Sequence, residues 1–201
     1  MTPRLHITVP SPYARKCRIV AREKGVAIEE VAVDPYASDP RLVAANPVVQ
    51  VPALETADGV LTDSPVICEW LDVTGAGPLL LPADGAERWR VKRLETLANA
   101  GLEMGVKRVL ELRRPEQERS ASWITRWTEN LNRVLDRLEG DPGIAPDLPL
   151  DMGRITAGVL VTWAGFRHPD LDWAAGRPRL VALQAALEAR PSFADTRPDA
   201  P

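Results

Sequence analysis

Residues 46–71 read NPVVQVPALETADGVLTDSPVICEWL, and this stretch decides the fold of the first half of the chain. Residues 48–55 predict a strand, and the Asp58-Gly59 pair after them is typical of a two-residue hairpin turn. A short strand at Val60-Leu61 should therefore run antiparallel to the first. Asp63-Ser64-Pro65 then predicts a helix start, because a polar residue can cap free backbone N–H groups and proline suits the first helical position.

The residues before this stretch predict a strand, a helix and a second strand. Residues 5–9 favour a strand, after which Ser11-Pro12 repeats the polar cap and proline of a helix start. Gly25 suits the end of that helix. Residues 28–33 alternate as a further strand, and residues 36–46 suggest a short helix within a loop. The element order of the first half is thus βαβ–ββα.

Gly75-Ala76-Gly77-Pro78 ends the helix, and residues 79–83 are predicted to form a linker, after which strand signals nearly vanish. Apolar residues at helical spacing predict four helices, at residues 84–114, 123–138, 151–166 and 180–189. The Pro-rich residues 197–201 are predicted to lack regular structure. We therefore expect an α/β domain at residues 1–78 and an all-helical domain at residues 84–201.

Composition and charge exclude several classes of function. A formal net charge of −3 gives no strong attraction to nucleic acid or to an anionic membrane surface. No stretch approaches the roughly 18 apolar residues of a membrane span. Cys17 and Cys68 form no disulfide framework and are each predicted to be small buried apolar groups. His6 and His168 are too isolated for a metal site. We expect a cytoplasmic protein without a metal.

Three segments in a fixed order together resemble the glutathione transferase family. They are SPYARKCRI at residues 11–19, NPVVQVPAL at residues 46–54 and DSPVICEWL at residues 63–71. The helical second half, with PDLDW at residues 169–173 and RPSF at residues 190–193, is similar to bacterial transferases of this kind. The resemblance covers nearly the whole chain. It implies a thioredoxin-like fold for the first domain, a glutathione site and a homodimer.

The resemblance implies which residues would bind glutathione. The helix start at Ser64 would seat the γ-glutamyl carboxylate, because helix N-termini attract anions, and Asp63 would pair with the ammonium group. Val51-Pro52 aligns with the cis-proline of the family, which presents the Val51 backbone to the cysteinyl part. Gln50 would contact the tripeptide backbone. Ser64 as a simple helix cap and Gln50 as an exposed strand-edge residue are the alternatives.

Ser11 is the candidate that would stabilise the glutathione thiolate. A hydroxyl donor at a helix N-terminus favours negative charge where the sulfur would lie. The alternative is that Ser11 is only an N-cap, and Tyr13 and Thr8 are the other candidate hydroxyls. Branches of the family with cysteine at this position perform thiol–disulfide chemistry, so Ser11 favours conjugation.

Two functions follow from these residues and from the resemblance. The first is an enzyme that conjugates glutathione to a small hydrophobic electrophile held between the domains. The second is a non-catalytic binding or dimerisation module that kept the fold. A homodimer is expected because Trp89, Gly101, Met104 and Gly105 on the long helix could allow close contact around a two-fold axis.

The chain departs from the family where the core helix of the second domain begins. The family usually has Ser or Thr at this point and Asp three residues later, whereas this chain has Asp151 and Arg154. Asp151 can still cap the helix, but Arg154 cannot accept the reciprocal hydrogen bond of a capping box.

Overall fold

The chain folds into two compact units. A computed structural model describes residues 1–198. The first unit comprises Met1–Leu80 together with residues 190–198, and the second comprises Leu81–Ala189. The expected helical domain at residues 84–201 therefore differs at its C-terminal end, because residues 190–198 pack with the first unit. The part of the predicted irregular tail beyond residue 198 lies outside the described residues.

The first unit is a four-stranded sheet with helices, in the predicted βαβ–ββα order. Strand β1 pairs parallel with β2 and antiparallel with β3, and β3 pairs antiparallel with β4, so the order across the sheet is β2-β1-β3-β4. This is the thioredoxin-like arrangement. The elements are β1 Arg4–Ile7, α1 Pro12–Glu23, β2 Glu29–Ala32, α2 Pro40–Ala45, β3 Ala53–Thr56, β4 Gly59–Thr62, α3 Ser64–Thr74 and α8 Pro191–Ala194.

The two faces of the sheet carry separate apolar layers, because successive residues of a strand point to opposite faces. Val31 and Ala53, which are both register partners of His6, pack with Leu42 of α2 on one face. Leu5 and its partner Leu54 share the other face and are fully buried. The sheet is thus covered on both faces.

The predicted hairpin forms, with its loop shifted by one residue. Thr56 pairs with Gly59, so the two loop residues are Ala57 and Asp58 rather than Asp58 and Gly59. Gly59 has a φ of 130°, which suits a glycine at the first position of β4. The Thr56 hydroxyl accepts a hydrogen bond from the Asp58 N–H at 3.2 Å and donates to the Gly59 carbonyl at 2.8 Å.

The second unit is helical, and its four helices match the predicted ones within a few residues. The central helix α6 is buried along its first ten residues, 152–161, which explains its nearly continuous apolar sequence. No helix within residues 1–198 is both long enough and apolar enough to cross a membrane. The helices are α4 Gly85–Leu112, α5 Ala121–Glu139, α6 Met152–Arg167 and α7 Pro178–Glu188.

The two glycines of α4 face helices of their own chain. A Cβ atom at Gly101 would lie 2.8 Å from the Leu160 side chain of α6, and one at Gly105 would lie 2.7 Å from the Trp163 ring. Met104 also contacts its own chain, since its sulfur lies 3.7 Å from the Asn130 amide nitrogen. These residues therefore permit close packing of α4 on its neighbours. For Gly101 and Gly105, the argument that they leave room for a two-fold contact is wrong, because side chains of their own chain fill that space.

The unusual Arg154 takes a structural role that the usual capping box lacks. Asp151 caps α6 as predicted, since one carboxylate oxygen accepts the Arg154 backbone N–H at 2.8 Å, while the other binds Arg90 at 2.7 Å. The buried guanidinium of Arg154 donates to the carbonyls of Pro149 at 3.2 Å and Pro146 at 3.1 Å. It thus holds the loop before the helix in place.

Candidate functional site

Three strand ends meet at one edge of the sheet. Because β1 and β3 are antiparallel with His6 opposite Ala53, the end of β1 lies beside the start of β3. Because Ala53 is also opposite Thr62, the end of β4 lies beside the same point. Neighbouring strands are about 4.8 Å apart. The register thus brings together the segments that hold the predicted site residues, which are Ser11, Gln50, Val51, Pro52, Asp63 and Ser64.

Ser11 is the N-cap of α1. Its backbone is extended, and its side-chain oxygen accepts the Ala14 N–H at 3.2 Å. The Ser11 N–H donates to the Thr8 carbonyl at 3.1 Å, which fixes the turn before the helix. Capping uses a lone pair of the hydroxyl oxygen and leaves its hydrogen available. Helix capping and donation to a thiolate are therefore compatible roles for this one side chain.

The other two candidate hydroxyls lie nearby in sequence and are half-buried. Tyr13 is in the first turn of α1, and Thr8 is in the loop between β1 and α1. Neither occupies the N-cap, which is the position closest to the free N–H groups and to the positive end of the helix dipole.

The segment before β3 is an irregular loop that ends in a cis peptide bond. The Val51–Pro52 bond is cis, and Val49 has a φ of 53°. Regular pairing therefore starts only at Ala53, and the strand predicted at residues 48–55 is shorter than expected. Gln50 is exposed and Val51 is half-buried. A backbone that leaves the sheet in this way can offer N–H and C=O groups to an extended ligand, as a neighbouring strand would.

Asn46 shapes this loop, and sequence reasoning did not single it out. It is 5% exposed. Its side-chain amide donates to the Gln50 carbonyl at 2.8 Å, and its side-chain oxygen accepts the Val48 N–H at 3.2 Å. Asparagine before proline is a known signal for such a side-chain turn, so the Asn46-Pro47 pair could have revealed it.

The N-terminus of α3 has no side-chain cap. Asp63 occupies the N-cap position with a φ of 70°, but its carboxylate makes no capping hydrogen bond. Ser64 is the first helical residue and 1% exposed, and its hydroxyl has no hydrogen-bond partner. The alternative that Ser64 caps the helix is therefore wrong. A buried unpaired hydroxyl is costly, and beside free helix N–H groups it suits an anionic ligand.

Cys17, in the middle of α1, contacts the start of α3. Its sulfur lies 3.9 Å from the Ser64 carbonyl oxygen and is fully buried. Burial is the main cause that raises the pKa of the Cys17 thiol well above its usual value. Cys17 is therefore a packing residue, and a protonated buried thiol is a poor nucleophile.

The arrangement suits an extended ligand with an anionic end. It offers an anion seat at α3, a strand-like backbone at Val51 and a hydroxyl donor at Ser11. Within the described residues, no group of three or more His, Cys, Asp or Glu side chains is placed to hold a metal ion.

Comparison with known proteins agrees with this chemistry. The model of the glutathione S-transferase N-terminal domain matches residues 5–78. The uncharacterized GST-like protein YibF of Escherichia coli is 35% identical over 192 residues, which cover 94% of this chain and 95% of YibF. A glutathione transferase family member from Pseudomonas fluorescens, solved with bound glutathione, superposes with a TM-score of 0.91 at 32% identity, with 98% of this chain and 99% of that chain covered. Maleylpyruvate isomerase from Ralstonia is 34% identical over 122 residues, which cover 58% of this chain and 57% of the isomerase. The chain belongs to the glutathione S-transferase family.

Proposed function

We propose that this protein binds glutathione at the edge of the sheet and conjugates its thiol to a small hydrophobic electrophile. The Pseudomonas relative supports glutathione as the co-substrate, since it was solved with that molecule bound. The proposed binding residues are Gln50, Val51, Pro52, Asp63 and Ser64, and the proposed catalytic residue is Ser11.

The observation that carries the proposal is the Ser64 hydroxyl, which is buried without a partner at the uncapped start of α3. A γ-glutamyl carboxylate would accept hydrogen bonds from this hydroxyl and from the free helix N–H groups. The exposed Asp63 carboxylate next to it matches the neighbouring ammonium group of the same ligand.

Ser11 would act on the sulfur. A free thiol with a pKa of about 8.5 is only a few per cent ionised at neutral pH. The Ser11 hydroxyl hydrogen and the α1 dipole would stabilise the thiolate and so raise the fraction of the nucleophilic form. The thiolate then forms a carbon–sulfur bond with the electrophile. In a chlorinated aromatic, chloride leaves and the thiol proton goes to solvent, whereas in an epoxide the opened oxygen, and in an isothiocyanate the nitrogen, takes up that proton.

A panel of electrophiles tests the proposal. The protein is incubated with glutathione and, separately, chlorinated aromatics, epoxides and isothiocyanates, and adducts are measured by mass spectrometry together with the loss of free thiol. Conjugation predicts an adduct and an equal loss of thiol that both scale with the amount of protein. Absence of turnover with every class, despite measurable glutathione binding, would favour the non-catalytic module instead.

A second candidate function is glutathione-dependent isomerisation of a small unsaturated acid. The similarity to maleylpyruvate isomerase supports it. In such a reaction glutathione adds to the substrate and leaves again, so the substrate changes its double-bond geometry while the free thiol concentration stays constant. Substrate change without thiol consumption therefore distinguishes isomerisation from conjugation in the same assay.

The proposal includes a homodimer in the cytoplasm. The support for a dimer is the large exposed fraction of Trp89, 71%, near the start of α4. An exposed tryptophan is typical of a contact surface between subunits.

A further inference from the structure

Residues 190–196, near the end of the described part of the chain, belong to the first unit. It contains helix α8, and Phe193 and Thr196 in it are fully buried. The Thr196 hydroxyl donates to the Ser192 carbonyl at 2.7 Å, which closes the segment on itself. The segment packs on α1 at two points.

The first contact joins Phe193 to Arg15 of α1. The guanidinium of Arg15 is 1% exposed and donates to the Phe193 carbonyl at 3.1 Å. The same guanidinium lies 5.6 Å from the centre of the Phe193 ring, within the range of a cation–π interaction. A buried cation requires its partners, and Phe193 supplies two of those of Arg15, its backbone carbonyl and its ring face.

The second contact joins Arg190 to Glu23, the last residue of α1. Arg190 binds the Glu23 carboxylate with two parallel hydrogen bonds of 2.9 and 2.7 Å, and the Ser192 hydroxyl donates to the same carboxylate. A bidentate pair of this kind fixes the relative orientation of the two side chains in addition to pairing their charges. The segment therefore holds α1 near both of its ends.

The first contact lies one helical turn from the proposed thiol site. The Arg15 backbone N–H donates to the Ser11 carbonyl at 3.0 Å, which is the first helical hydrogen bond of α1. A shift of Arg15 would therefore move the N-cap directly. We propose that residues 190–196 hold the N-terminus of α1 in place, and that Phe193 and Arg15 are positioning residues for the Ser11 hydroxyl. This inference rests on the proposed glutathione function.

The test compares Phe193→Ala with Leu183→Ala in the full-length protein. Leu183 is equally buried but lies in α7 of the second unit, so it controls for a general loss of stability. Two quantities are measured well below the melting temperature. One is hydrogen exchange of the Ala14 and Arg15 amides by NMR, and the other is the pKa of the bound glutathione thiol by ultraviolet absorbance of the thiolate.

Phe193→Ala should speed exchange of both amides by about tenfold or more, because the first turn of α1 opens more often. It should also raise the pKa of the bound thiol by about 0.5 to 1, since the hydroxyl and dipole are less well aligned. Leu183→Ala should lower the melting temperature and change neither quantity. Should Phe193→Ala not fold, Arg190→Met loosens the second contact at a half-buried position and is expected to act in the same direction.

Unchanged exchange at Ala14 and Arg15, or a thiol pKa equal to that of the wild type, overturns the inference. Failure of the proposed function looks different. In that case the wild-type protein itself does not bind glutathione or does not lower its thiol pKa, and the exchange measurement alone then decides whether the segment positions α1.

Discussion

The sulfur atoms of Cys17 and Cys68 lie 3.7 Å apart in the interior of the first unit, where α1 contacts α3. Both side chains are fully buried, as predicted from their apolar surroundings. Burial also raises the pKa of the Cys17 thiol.

We therefore expect both thiols to resist labelling in the native protein at about pH 8, because burial denies the reagent access to either sulfur and also disfavours the Cys17 thiolate. Labelling with a chromogenic disulfide reagent checks this, with the protein unfolded in guanidinium as the control in which both cysteines react. Stoichiometric labelling of the native protein within minutes would contradict the expectation.

Ser11→Ala should slow conjugation by roughly 10- to 150-fold and leave glutathione affinity nearly unchanged, because it removes a hydrogen bond to a charged sulfur worth about 1.5–3 kcal/mol. It should also cost about 1 kcal/mol of stability, since Ser11 caps α1. Ser11→Gly is the matched control, because it keeps most of the capping stability but lacks the hydroxyl.

The pKa of the bound thiol decides the role of Ser11. It should rise equally in Ser11→Ala and Ser11→Gly, and Ser11→Cys should gain thiol-transfer activity. An unchanged thiol pKa in both variants would transfer the role to Tyr13 or Thr8, which Tyr13→Phe and Thr8→Val would then reveal.

Ser64→Ala should weaken glutathione binding by roughly 10- to 150-fold, because one charge-assisted hydrogen bond worth about 1.5–3 kcal/mol is lost. The free protein should lose no stability, since the hydroxyl has no partner in it and makes no cap. Calorimetry gives the dissociation constant and the melting temperature of the same sample. A lower melting temperature with a dissociation constant within about twofold of the wild type would refute the γ-glutamyl assignment.

Stability should fall as the pH decreases from about 6.5 to about 4, in part because of His168. Burial is the main cause that lowers the pKa of His168 from 6.5 to about 4, and the Arg108 guanidinium adds to the effect. The unfolded chain then takes up the proton at a higher pH than the folded one, so acid favours unfolding in this window. Arg108 Nη1 lies 2.8 Å from Nδ1 of His168. A guanidinium group can only donate, so Nδ1 accepts this hydrogen bond, and a proton added to Nδ1 would point at another donor.

The contribution of His168 is at most roughly 3 to 4 kcal/mol, since its pKa falls from 6.5 to about 4 and one pKa unit corresponds to about 1.4 kcal/mol. Urea unfolding at several pH values measures it, with His168→Gln as the control that cannot titrate. The difference in the free energy of unfolding between the wild type and His168→Gln should shrink as the pH falls. If the two curves of unfolding free energy against pH stay parallel from pH 7 to about pH 4, His168 does not titrate in this range.

We expect light scattering at micromolar concentration to give the mass of two chains. Trp89→Lys should shift the equilibrium toward the single chain, because it places a charge where the exposed indole would contact a partner. Gly101→Ala is not a test of the dimer, since the added methyl group would collide with Leu160 of the same chain. A mass of one chain for the wild type would exclude the dimer under these conditions.

Local backbone preferences made several features predictable from the sequence alone. Ser11-Pro12 starts a helix because a short polar side chain and a fixed proline φ suit the cap and the first turn, and the residues around Asp58-Gly59 form a hairpin for a similar reason. The position of Asn46 before Pro47 carries the same kind of local signal. The resemblance of the three segments in their fixed order added the cis-proline, which the structure confirms, and the site residues, which stay a proposal.

Only the tertiary structure decided the features that depend on residues distant in sequence. Gly101 and Gly105 leave the same space for a helix of their own chain as for a partner, and only packing against α6 determines which helix fills it. The alternative role of Ser64 as a helix cap is excluded because Asp63 occupies the N-cap position of α3 and Ser64 is the first helical residue. Residues 190–198 joined the first unit because Phe193 meets Arg15 across 178 positions of sequence, a contact that no local preference encodes.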